Sequence, residues 1–99
     1  MGKKFNDIVS SAPLVLVDYF AEWCGPCKTL APVLTDLKKE LGEVVKIVKI
    51  DIDKNQVLAS KHQVQGVPTL VLYKNGTQVW RQSGALPKHE LIKLIQSHQ

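Results

Sequence analysis

Cysteine is scarce in this 99-residue chain: there are two, Cys24 and Cys27, separated only by Gly25 and Pro26. Two thiols cannot build the multi-bridge framework that holds many small secreted domains together. They also fall short of the roughly four ligands that structural zinc requires, and His62, His89 and His98, which could join them, are scattered along the chain. No metal and no other cofactor is expected. Long apolar runs are missing too. The longest, Ala12 to Val17, is broken at Asp18 and is far shorter than the roughly 20 residues of a membrane-spanning helix. Lys3 and Lys4 are not followed by an apolar stretch and a small-residue cleavage site, so no secretory leader is expected and the cytoplasm is the expected location. The net charge of +4 comes from dispersed lysines with no basic run, which argues against nucleic acid as a partner.

What is present reads as one soluble globular domain over residues 1–99, with 44% hydrophobic and 22% charged residues and no repeat, linker or low-complexity segment. Phe5, Ile8 and Val9 give Lys3 to Ser10 a helical spacing that Ala12 and Pro13 stop. Leu14 to Phe20 is nearly continuous in apolar, β-branched and aromatic residues, as in a strand buried on both faces. From Cys24, the positions of Leu30, Val33, Leu34, Leu37 and Leu41 describe a long amphipathic helix that Gly42 ends and Pro32 bends. A second strand is expected over Val44 to Ile52, parallel to the first because a helix connects them. A shorter helix follows over Lys54 to His62. Thr69 to Tyr73 and Thr77 to Gln82 read as strands joined by the Asn75–Gly76 turn and therefore antiparallel. A last helix covers Pro87 to Gln96.

The two cysteines fall where the central strand gives way to the long helix. Free backbone N–H groups and the positive end of the helix dipole favour a thiolate there, so Cys24 should ionise more readily than a free cysteine and is expected to reach solvent. Cys27, about one turn further in, should be shielded. This spacing suits a two-step exchange in which Cys24 attacks a substrate disulfide and Cys27 then attacks the mixed disulfide. A purely stabilising bridge is the lesser reading, because a loop enclosing two residues constrains the unfolded chain little.

The stretch from Glu22 to Lys28, the Gly66–Val67–Pro68–Thr69 segment and the Asn75–Gly76 hairpin together resemble the thioredoxin family, over nearly the whole chain from Phe5 onward. The resemblance implies an α/β thioredoxin fold, a mixed four-stranded sheet flanked by helices and lacking the usual first strand. It implies a protein-disulfide reductase acting through Cys24 and Cys27, with thioredoxin reductase and disulfide-bearing substrate proteins as partners. Asp18, an acid inside an apolar strand, then corresponds to the carboxylate behind the second cysteine, and Lys49 to the lysine beside it. Pro68 would be cis and face the cysteines, presenting the Val67 backbone to a substrate strand. Trp23, Gly25, Pro26, Gly66, Gly84 and Ala85 would complete the substrate surface.

Three departures stand out. With only four residues before Phe5, the strand over 44–52 should lie at a sheet edge, where unpaired backbone invites association and Lys46 and Lys49 are the expected defence. The chain is then expected to be a monomer with a route to weak self-association. Phe20 stands where the family often has tryptophan, and Trp80 has no counterpart in the pattern. An oxidase or isomerase would share the fold but not Gly25 and Pro26 between the cysteines. A binding subunit with incidental catalysis is the other alternative, supported by the exposed edge.

Overall fold

The computed structural model describes residues 2–99. Its elements are α1 (Gly2–Val9), β1 (Leu14–Phe20), α2 (Gly25–Leu41), a 3₁₀ turn (Gly42–Val44), β2 (Lys46–Asp51), α3 (Gln56–Lys61), β3 (Thr69–Lys74), β4 (Thr77–Ser83) and α4 (Lys88–Ser97). The four strands form one mixed sheet in the order β2-β1-β3-β4. β1 pairs in parallel with β2 and antiparallel with β3, placing Asp18 opposite Lys49 on one side and Leu70 on the other. β2 is an edge strand, as expected from the sequence. Its Lys46 ammonium is tied to the Ser11 hydroxyl at 2.8 Å.

Alternation along β1 sorts its side chains to two faces. Leu14 and Leu16 join Leu30, Leu34 and Leu37 of α2 and Leu91 and Ile95 of α4 in one buried layer. Val15, Val17 and Tyr19 join Phe5 and Val9 of α1 and Leu58 of α3 in the other. Burying each large side chain completely is worth roughly 1.5–3 kcal/mol, which is how α1, only 8 residues long, is held in place. Trp80 is half-buried against the α2–α4 layer; its place is packing.

Two boundaries differ from the sequence expectation by more than one residue. Gly42, at φ +55, turns the chain into the 3₁₀ segment, so β2 begins at Lys46. The segment expected to start a helix at Lys54 is held as a turn instead, because the Asp51 carboxylate accepts the N–H groups of Asp53 and Lys54 at 2.9 and 3.3 Å. α3 therefore begins at Gln56. The hairpin follows its turn chemistry: Asn75 and Gly76 both have positive φ, 51° and 83°. α2 runs unbroken through Pro32.

Candidate active site

The site begins where β1 ends. The Cys24 N–H closes a turn onto the Ala21 carbonyl at 3.1 Å, and Cys24 then takes the N-cap position of α2. Its Sγ accepts the Cys27 N–H at 3.1 Å, so the sulfur occupies the place a capping oxygen would fill, at the positive end of a 17-residue helix. Pro26, in the first turn, forfeits an N–H that has no helical partner there. The Cα atoms of Cys24 and Cys27 are 5.2 Å apart and the two are joined in a disulfide.

Both cysteines are buried, at 4% and 5% exposure. The expectation that Cys24 alone reaches solvent is not met, because Cys24 is packed among Ala21, Phe20, Ile52 and Val67. Its sulfur lies 3.6 Å from the Val67 carbonyl oxygen. The Val67–Pro68 peptide is cis. The Pro68 carbonyl accepts the Gly84 N–H at 2.8 Å, which draws the end of β4 to this loop. Gly84 has φ +96, a conformation other residues rarely adopt. Gly66 accepts the Thr69 hydroxyl at 2.6 Å. Gly25, Pro26, Gly66 and Ala85 are exposed around this centre. Trp23 is 68% exposed beside the pair and donates its indole N–H to Asp53 Oδ2 at 2.8 Å. Asp53 carried no signal in the sequence, since an acid in a loop 30 residues away has no periodic or motif relation to Trp23.

Asp18 is on the sheet face covered by α2, two residues beyond Leu16. It is 1% exposed, and neither carboxylate oxygen finds a hydrogen-bond partner among the described residues. Burial pushes its carboxyl up to about 6, against the downward pull of Lys49. The lysine head lies 5.2 Å from the Phe20 ring centroid and lines, with Phe20, Ala21, Cys27 and Ala31, a hollow of about 250 Å³. Cys27 and Lys49 thus share one small space behind the disulfide, with Asp18 beside Lys49 in the strand register.

The three histidines, scattered in the sequence, meet different surroundings. His89 is exposed. His98 is half-buried, with Nδ1 3.0 Å from the Leu94 carbonyl. His62 is half-buried as well, its ring centroid 4.6 Å from that of Phe5 and its carbonyl taken by Arg81 at 2.6 Å. No group of three or more His, Cys, Asp or Glu that could hold a metal occurs among the described residues. No helix among them is long and apolar enough to cross a membrane.

A cysteine pair that starts a helix and meets a cis-proline loop, on a sheet whose central strand buries an acid, defines a thiol–disulfide oxidoreductase. A thioredoxin family model matches residues 1–97. The thioredoxin of Chlamydia trachomatis serovar D is 50% identical over 97 residues, spanning 98% of this chain and 93% of the relative. That of Bacillus subtilis strain 168 is 47% identical over 89 residues, 90% and 86% of the two chains. Among solved structures, the X-ray structure of Fasciola hepatica thioredoxin superposes with a TM-score of 0.87 at 37% identity, covering 99% of this chain and 94% of that one. The chain belongs to the thioredoxin family and is a protein-disulfide reductase.

Proposed function

We propose that Cys24 is the attacking sulfur and Cys27 the resolving one. In the reduced protein the Cys24 thiolate attacks one sulfur of a substrate disulfide, forming a mixed disulfide and expelling the other substrate sulfur as a thiolate. Cys27, once deprotonated, attacks Cys24 Sγ, releases the second substrate sulfur and closes the intramolecular bridge. Asp18 accepts the Cys27 proton by way of the hollow that Cys27 and Lys49 line, and Lys49 tunes that acid. The substrate strand lies along the Val67–Pro68 backbone, over a surface made by Trp23, Gly25, Pro26, Gly66, Gly84 and Ala85. Two electrons return from a flavoprotein thioredoxin reductase, and the protein works in the cytoplasm as a monomer, with weak self-association through β2.

The observation that carries this reading is the N-cap geometry: Cys24 Sγ on the Cys27 N–H at 3.1 Å and against the Val67 carbonyl at 3.6 Å. The first position favours a thiolate and the second sets the sulfur beside the backbone that would present a substrate. The test is trapping. Cys27→Ser should accumulate mixed disulfides with a model protein disulfide, while Cys24→Ser should accumulate none and lose reduction by NADPH and thioredoxin reductase altogether. Mixed disulfides on Cys24→Ser instead would reverse the roles.

A further inference from the structure

A second hollow, of about 320 Å³, lies along the seam of α2 and β2 and shares Ala31 and Lys49 with the one behind Cys27. The two form one trough that reaches from Cys27 to Lys38. Its floor is apolar: Phe20, Ala31, Leu34 and Ile47. Its rim carries four exposed lysines, Lys28, Lys38, Lys39 and Lys49, and one acid, Glu22.

The other acids nearby are turned elsewhere, and Glu22 has a lysine partner of its own. At about 100° per residue, Lys28, Ala31, Thr35, Lys38 and Lys39 fall on one stripe of α2, whereas Asp36 and Glu40 fall toward α4. There Glu40 meets Lys88 at 3.3 Å. Glu22, at the cysteine end, is drawn to Lys54 at 3.7 Å. Asp18 is buried in β1 and lines neither hollow, and Lys38 donates to the Gly42 and Val45 carbonyls. Among the described residues Lys28, Lys39 and Lys49 form no ion pair. Solvated lysines alone need no concave apolar floor, so charge and shape point to the same ligand chemistry.

We propose that this trough is a docking surface for an acidic, leucine-bearing segment of the proteins that exchange electrons with the cysteine pair. It builds on the proposed function and adds to it a second contact, on the Cys27 side, distinct from the Val67–Pro68 surface that meets Cys24. Carboxylates of the segment pair with the lysine rim and its apolar side chains cover the floor. Electrostatic complementarity of this kind chiefly sets encounter rate and partner choice.

The test is fluorescence anisotropy of the oxidised protein with a labelled peptide of alternating Glu and Leu, beside analogues with Gln for Glu or Ser for Leu. The acidic apolar peptide should bind about tenfold more tightly than either analogue at low ionic strength, and lose most of that margin at roughly 0.5 M salt. The Thr35→Glu/Lys39→Glu variant should weaken binding about fivefold or more, while Lys61→Glu, at the end of α3 on the other face of the sheet, should change it less than about twofold. Equal binding of the three peptides, or equal losses in the two variants, would overturn the proposal. Reduction of insulin by dithiothreitol should be the same in wild type and both variants. Its absence in wild type would count against the reductase reading and leave the binding result standing.

Discussion

Asp18 and Tyr19 are neighbours in β1, both almost fully buried, and both with side-chain oxygens lacking a hydrogen-bond partner among the described residues. They point to opposite faces of the sheet and meet different surroundings. Asp18 faces the α2 layer, beside Lys49 in the strand register, and burial brings its carboxyl up to about 6, inside the range of ordinary aqueous work. Tyr19 faces the α1–α3 layer, with Phe5, His62 and Tyr73 around it. Burial, then the nearby Tyr73, pushes its phenol further above its already high value, so it stays neutral. One strand therefore carries two polar groups of similar isolation, of which one can exchange a proton and the other can only occupy space. On the proposed function, chemistry sits on one face of the sheet and packing on the other.

The sharpest way to break this comparison is to neutralise the acid. An ionised carboxylate is costly to bury, and the raised pKa means that the folded state holds the proton over a pH window in which the unfolded chain has released it. Stability from this group is therefore complete below about pH 4 and is lost as pH rises through about 6, the sign opposite to that of a salt-bridged acid. Asp18→Asn should raise stability at pH 8 by about 2 kcal/mol, remove this pH dependence from denaturant melts, and slow resolution of the mixed disulfide about tenfold. Its gain should vanish at pH 4.

The packing face should respond in stability alone. Arg81 donates to the His62 and Gln63 carbonyls at 2.6 and 2.8 Å, fastening β4 to the end of α3. Arg81→Ala should cost about 1–2 kcal/mol in chemical denaturation and leave disulfide reduction unchanged. A loss of activity at full occupancy of the folded state would mean that the two faces are coupled. The smallest effect belongs to Tyr19→Phe, which removes an unpartnered buried hydroxyl and should stabilise the fold by up to about 1 kcal/mol. Mixed-disulfide lifetimes should not change.

Much of this was readable in the sequence, and the reasons differ by feature. β1 was legible because seven residues without a break in apolar character, save one acid, allow few alternatives, and that same acid marked itself by interrupting them. The Asn75–Gly76 hairpin was legible because the turn requires positive φ at both positions. The cysteine pair was legible because its spacing and place at a helix start are local. What escaped notice rests on contacts between distant segments. The Trp23–Asp53 bond, the Arg81 clamp and the burial of Cys24 against Val67 leave no period in the chain. The packing of His62 is not legible either, because a lone histidine gives no hint that Phe5, far earlier in the chain, will lie against it.

The proposed service of Asp18 to Cys27 is measured most directly by the rate of mixed-disulfide resolution against pH, by stopped flow under single-turnover conditions, for wild type, Asp18→Asn and Tyr19→Phe. The wild-type rate should rise through an inflection near 6, the value at which burial holds the Asp18 carboxyl. Tyr19→Phe should keep that inflection and Asp18→Asn should lack it. The same inflection in the asparagine variant would show that another group takes the Cys27 proton, and the assignment of chemistry to that face of the sheet would fall.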